Sequence, residues 1–136
     1  MTSKNRPVVL LVDEDVDPMK YYVKALHKHF ELRRAKDPDE AWHDIETIQP
    51  LPDVIILDVM LPPKRYSDRK DVKQGIRTGL LLYDDLMVKL PQIKVIVLTN
   101  SGEGKIEFAA KWPEVPAFEK VDTTPSELVE HVFSVL

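Results

Sequence analysis

Apolar runs and helically spaced apolar residues take turns along this chain. Residues 8–12, VVLLV, form an unbroken run rich in β-branched side chains, which reads as a strand covered on both faces. Asp17-Pro18 follows as a helix start, and Met19, Tyr22, Val23, Leu26 and Phe30 then recur at helix spacing. Asp37-Pro38 with Glu40 repeats the start signal ahead of Ala41, Ile45 and Ile48 on one face. DVIILD (53–58) is another buried-strand run, and Gly79 begins LLLYDDLMVKL, in which Leu82, Leu86 and Leu90 stand four apart. VIVL (95–98) predicts a strand, residues 103–111 a short helix, and VPAF (115–118) a last strand. Thr124-Pro125-Ser126-Glu127 is a capping box with proline at the first helical position, and Leu128, Val132 and Val135 share one face behind it. ELRRA (31–35) is the least regular strand and is expected at an edge.

Five strands alternating with five helices predict an α/β fold, because continuous apolar strands between helices need cover on both faces of a parallel sheet. Right-handed crossovers make that sheet doubly wound. In such sheets functional groups gather beyond the carboxyl ends of the strands, near the switch in strand order. The 136 residues suit one domain, so residues 1–136 are read as a single unit. Composition narrows the function classes: with 43% hydrophobic and 31% charged residues and a formal net charge of −4, general nucleic-acid binding is disfavoured. There is no cysteine, which removes disulfides, thiolate metal sites and thiol nucleophiles. No stretch approaches the ~18 apolar residues of a membrane span, and MTSKNRP leads into the first strand without a cleavage-type segment. A cytoplasmic location is expected.

The strand ends carry Asp13 and Glu14 after the first strand, Asp58 after the third, Thr99 after the fourth and Lys120 just after the last. If the first and third strands are neighbours, three carboxylates meet in one crevice beside a hydroxyl and an ammonium. Like charges so close need a counter-charge, and a hard divalent cation with oxygen ligands, Mg²⁺ above all, supplies it. Lys120 would pair with Asp58 at rest and with a phosphoryl oxygen later, while Thr99 donates to another. Such a set suits phosphoryl transfer, where positioning and charge neutralisation supply most of the catalysis.

At these residues the chain resembles the receiver domain of bacterial response regulators. VVLLVDED, DVIILDVMLP, VIVLT and FEK carry the resemblance, in the right order and across nearly the whole chain. It implies the flavodoxin-like strand order 2-1-3-4-5, which the chemotaxis receiver exemplifies. It also implies that Asp58 accepts a phosphoryl group from a sensor histidine kinase, a histidine phosphotransfer protein or a small phosphodonor. Asp13, Glu14, Asp58 and the backbone carbonyl of Met60 would hold Mg²⁺, Thr99 and Lys120 would serve the phosphoryl group, and Thr99 with Phe118 would form the switch. The product is a signal rather than a turnover. Its outputs would be a downstream protein target and, through helix 4, strand 5 and helix 5, a homodimer.

Four residues depart from the family pattern. Glu14 stands where aspartate is usual, Asn100 where a small residue follows the threonine, and Val121 where proline follows the lysine. Phe118 lies two residues before Lys120 rather than three. The connection at about 63–78 is also long for the family. Between Pro62 and Gly79 six basic residues (Lys64, Arg65, Arg69, Lys70, Lys73, Arg77) face two acidic ones (Asp68, Asp71), so this segment is +4 and the remainder −8. A long basic connection of this kind is functional or solvated, and one expectation is a lid or docking arm bringing Arg77 or Lys73 to a phosphate.

Two other readings use the same residues. Asp13-Glu14-Asp15-Val16 and VIVLTN also look like the first two motifs of haloacid-dehalogenase-type phosphatases, with Asp13 as nucleophile, Asp15 as general acid and Lys120 binding phosphate. The closing acidic motif is missing after Lys120, however, and Asp58 would have no role. The third reading is a receiver-like binding module that takes no phosphate. His27 and His29, two apart on a helix, do not make a metal pair, and His43 and His131 read as exposed helix residues. Trp42 and Trp112 read as packing residues, with Trp112-Pro113 also a candidate docking surface, and Gly102 and Gly104 loosen the start of the fourth helix.

Overall fold

A computed structural model describes residues 6–15, 17–68 and 77–136. Strand β1 (Val8–Val12) is followed by α1 (Lys20–His29), β2 (Glu31–Ala35), α2 (Pro38–Thr47) and β3 (Val54–Leu57). Then come α3 (Thr78–Lys89), β4 (Lys94–Thr99), α4 (Gly102–Lys111), β5 (Ala117–Glu119) and α5 (Pro125–Val135). Short 3₁₀ turns occupy Lys64–Tyr66 and Lys120–Asp122.

All pairings are parallel, and the sheet runs β2-β1-β3-β4-β5. The chain therefore reverses direction across the sheet at β1 and β3, and a crevice opens between their carboxyl ends. β1 and β3 are wholly buried, as their unbroken apolar runs require, while β2 is mostly uncovered and lies at the edge.

Alternation along the strands sorts side chains between two cores. Leu10, Val12, Ile55, Leu57, Val95 and Val97 pack under α2, α3 and α4; Val9, Leu11, Val54, Ile56, Ile96 and Leu98 pack under α1 and α5. The capping signals act where the sequence places them. The Asp37 side chain accepts from the Glu40 amide at the start of α2, and Thr124 and Glu127 close a complete capping box on α5.

Asp17-Pro18, by contrast, does not begin α1. A turn from the Asp17 carbonyl to the Lys20 amide comes first, with Met19 fully buried as the cap residue, because seating Met19 in the α1/α5 core fixes where the helix starts. β5 is shorter than VPAF suggests and lies two residues later. Trp112 is half-buried against Tyr83 and Phe108, with ring centroids 4.6 and 4.8 Å away, and packs against the α3/α4 core. No helix among the described residues is long and apolar enough to cross a membrane.

The described ends of the long basic connection are anchored to helices. Tyr66 is buried against the α2/α3 core, its hydroxyl donating to Asp85 Oδ2 at 2.7 Å, and Arg65 pairs with Asp39 at 2.9 Å. At the other end Arg77 pairs with Glu107 on α4 at 2.9 Å. Arg77 Nε thus faces α4 in this structure. Lys73 lies outside the described residues.

Candidate functional site

The sheet ladder continues one residue past the strands and sets two carboxylates side by side. The Asp58 amide donates to the Val12 carbonyl at 3.0 Å, and the Asp13 amide donates to the Ala35 carbonyl at 2.9 Å. Asp58 is buried and shared. Its Oδ1 accepts from the Thr99 hydroxyl at 2.7 Å and from the Met60 amide at 3.0 Å, while its Oδ2 lies 3.2 Å from Lys120 Nζ. The same ammonium stands 2.8 Å from Asp13 Oδ2 and 3.3 Å from Asp15 Oδ2.

Burial pushes the Asp13 carboxyl up to about 6, with the Asp58 charge adding to the rise and Lys120 opposing it. For Lys120 burial works the other way. The charges of Asp58 and Asp13 outweigh it and hold the ammonium above its ordinary value. Three carboxylates and one fixed ammonium leave the crevice with a formal charge of −2.

Tyr22 aims the lysine. Its buried hydroxyl lies 2.9 Å from the Lys120 carbonyl and 2.6 Å from the Thr123 carbonyl, so α1 pins the turn that presents Lys120. In sequence Tyr22 is only one of the apolar positions of a helix, and nothing there marks it as a partner of residue 120.

The structure thus brings Asp13, Asp58, Thr99 and Lys120 together. Glu14 is exposed, and the third acid within reach is Asp15: one carboxylate oxygen from each of Asp13, Asp15 and Asp58 lies within 4.8 Å of the others. Met60 gives its amide to Asp58 and leaves its side chain exposed, as Asn100 and Val121 also are.

Phe118 takes the face of the sheet opposite to the one a switch beside Thr99 requires. It pairs in register with Leu98 and packs with the α1/α5 core, its ring stacked on His131 at 3.8 Å, whereas Ala117 pairs with Val97 on the α3/α4 side. By alternation Thr99 shares the face of Val97. The one-residue displacement seen in sequence is therefore a change of face.

These residues fit a divalent metal ion. The donors are all oxygens, the excess charge is that of one divalent cation, and buried Asp13 Oδ2 has only the Lys120 ammonium, shared with Asp15 and Asp58, as its described partner.

No protein-family model and no curated protein matches the sequence. Solved structures do match. A signal receiver domain of an HD domain-containing protein from Pseudomonas fluorescens Pf-5 superposes with a TM-score of 0.72 at 22% identity, covering 96% of this chain and 94% of that one. The fold is that of response-regulator receivers. A Thermotoga maritima response regulator gives 0.69 at 21% identity over 95% and 96% of the two chains. The receiver domain of the Francisella response regulator 1452 gives 0.69 at 26% identity over 94% of each. The receiver fold spans the length over which the crevice residues are distributed, from Asp13 to Lys120.

Proposed function

We propose that this chain is a phosphoacceptor receiver in which Asp58 takes a phosphoryl group from a histidine kinase, a histidine phosphotransfer protein or a small acyl phosphate. One observation carries this reading: the buried Asp58 carboxylate has the Thr99 hydroxyl on one oxygen and the Lys120 ammonium on the other. Whichever oxygen attacks phosphorus, a donor already stands beside it. The new bond is Asp58 O–P, and the bond that breaks joins phosphorus to the donor's imidazole nitrogen or acyl oxygen, which leaves with its electron pair.

Lys120 then exchanges part of its contact with Asp13 and Asp15 for a phosphoryl oxygen. Thr99 keeps its hydroxyl on the site and carries the change into β4 and α4. Asp13 and Asp58 are the residues to hold Mg²⁺, which when bound offsets the charge of the incoming phosphoryl oxygens. Output is protein contact with a downstream target, through the surface of α4, β5 and α5, which is also a candidate homodimer face. The chemistry is self-phosphorylation and self-dephosphorylation rather than turnover of a substrate, and a kinase partner of this kind implies a cytoplasmic site of action.

The test is intact mass after incubation with Mg²⁺ and acetyl phosphate, with peptide mapping, on wild type, Asp58→Asn and Asp13→Asn. A single labile adduct on Asp58, absent from Asp58→Asn, is expected. An adduct on Asp13 would overturn the assignment in favour of a phosphatase. No adduct with acetyl phosphate or with phosphohistidine donors would leave a receiver-like module that works without phosphate.

A further inference from the structure

We infer that Asp15, and not its neighbour Glu14, is the second carboxylate of the first-strand loop to bind the divalent cation. The inference rests on the phosphoacceptor reading and names a ligand that alignment to the receiver pattern would assign to residue 14.

The loop after β1 is wound so that alternate acids face opposite ways. The Asp15 amide donates to Asp13 Oδ1 at 2.8 Å, and the Asp15 carbonyl accepts from Arg34 Nη2 at 3.2 Å, which ties the turn to the edge strand. Glu14, between the two, is exposed, while Asp15 reaches in far enough to touch Lys120.

Proximity alone would make only an acidic cluster. Two further observations point to a cation. The first is Asp13 Oδ2: it is buried in the crevice that Asp15 enters, and its described partner is the Lys120 ammonium at 2.8 Å, which Asp15 and Asp58 share. One ammonium divided among three carboxylates leaves their oxygens short of donors, which is costly where they are buried. The second is charge. Lys120 already serves Asp13, Asp15 and Asp58 at 2.8, 3.3 and 3.2 Å, so the remaining −2 has no protein counter-charge among the described contacts of those carboxylates. A divalent cation satisfies both the donor-poor oxygens and the unbalanced charge, and of the two neighbouring acids only Asp15 has its carboxylate where that cation would sit.

The experiment is titration of wild type, Glu14→Gln, Asp15→Asn and Asp13→Asn with Mg²⁺ by calorimetry and with Mn²⁺ by electron paramagnetic resonance, with circular dichroism to confirm folding. Glu14→Gln is expected to bind within about twofold of wild type, and Asp15→Asn to lose about tenfold or more, as metal-site changes of this kind commonly do. Weakening in Glu14→Gln with Asp15→Asn unaffected would overturn the inference, as would unchanged binding in both. Failure of wild type itself to bind either ion would instead remove the metal from the proposed function. The Asp58 adduct is read separately, so the two failures are distinguishable.

Discussion

At the scale of single residues, the crevice trades stability for charge. Asp13 titrates near 6 in the fold against 3.8 in a free chain. The folded state therefore holds that proton more tightly, and stability falls as pH rises from about 4 to about 6. Lys120 is raised as well, so its slope with pH has the same sign, but there the charged form is the favoured one and the window lies far higher. Its raised pKa contributes stability that persists until pH climbs past the ordinary lysine value of 10.5, so it does not shape the neutral range. Asp13→Asn removes the costly charge and leaves Lys120 its contacts with Asp58 and Asp15. Urea unfolding is expected to show this variant more stable than wild type at neutral pH, with the gap closing toward about pH 4. A variant less stable at neutral pH would mean that the Lys120 pair outweighs burial.

At the scale of elements, two glycines let helices approach the residue after Asp58. A Cβ on Gly79 would lie 2.4 Å from Val59 Cα and 2.6 Å from the Asp58 carbonyl oxygen, both backbone atoms that cannot turn aside. A Cβ on Gly104 would meet Val59 Cγ2 at 2.5 Å, a side-chain atom able to yield in part. Overpacking of this kind costs about 1–3 kcal/mol or more, and alanine repays less than the ~1 kcal/mol of helix propensity it brings at an interior glycine, since both glycines stand in the first turn of their helices. Gly79→Ala is therefore expected to lower the urea midpoint more than Gly104→Ala does, and, if Asp58 takes phosphate as proposed, to slow that step by shifting Asp58. Equal midpoints would show that the α3 approach is adjustable. The sequence marks Gly79 only as the start of a helical pattern; the close approach that demands glycine is a tertiary fact.

At the scale of the whole molecule, one set of links runs from Asp58 to α4, besides the one through Lys120 to Tyr22 of α1. Thr99 Oγ1 donates to Asp58 and accepts from the Ser101 amide at 3.1 Å, and Ser101 Oγ caps α4 by accepting from the Gly104 amide at 2.8 Å. Glu119 of β5 reaches Lys105 at 3.7 Å, and Arg77 ties the end of the basic connection to Glu107. With Phe118 on the other face, these polar links and the Val59–Gly104 contact are the observed routes from Asp58 to α4. Hydrogen exchange with Mg²⁺ and the phosphoryl analogue beryllofluoride is expected to change first across residues 99–107. Residues 64–66, held by Tyr66 and Asp85, should change little. A response confined to α1 and α5 would point instead to the Phe118–His131 stack.

Local sequence pattern was enough to set the layers, the alternation of strand and helix, the capping of α2 and α5, and four of the crevice residues, because these depend on near neighbours in the chain and on the residues that end each buried strand. It also recorded the displacement of Phe118 by one residue. What that displacement means was decided only by the sheet, since side chains alternate between faces and one step exchanges the α3/α4 core for the α1/α5 core. The same holds for Asp15, Tyr22 and Arg77. Three consecutive acids look alike in sequence, and which of them turns inward depends on a loop held by Arg34 and Asp13; a tyrosine on α1 meets Lys120 across 98 positions, and an arginine of the basic connection meets Glu107. Contacts between distant residues carry no local signature, and in this protein they choose which of the candidate groups face the site.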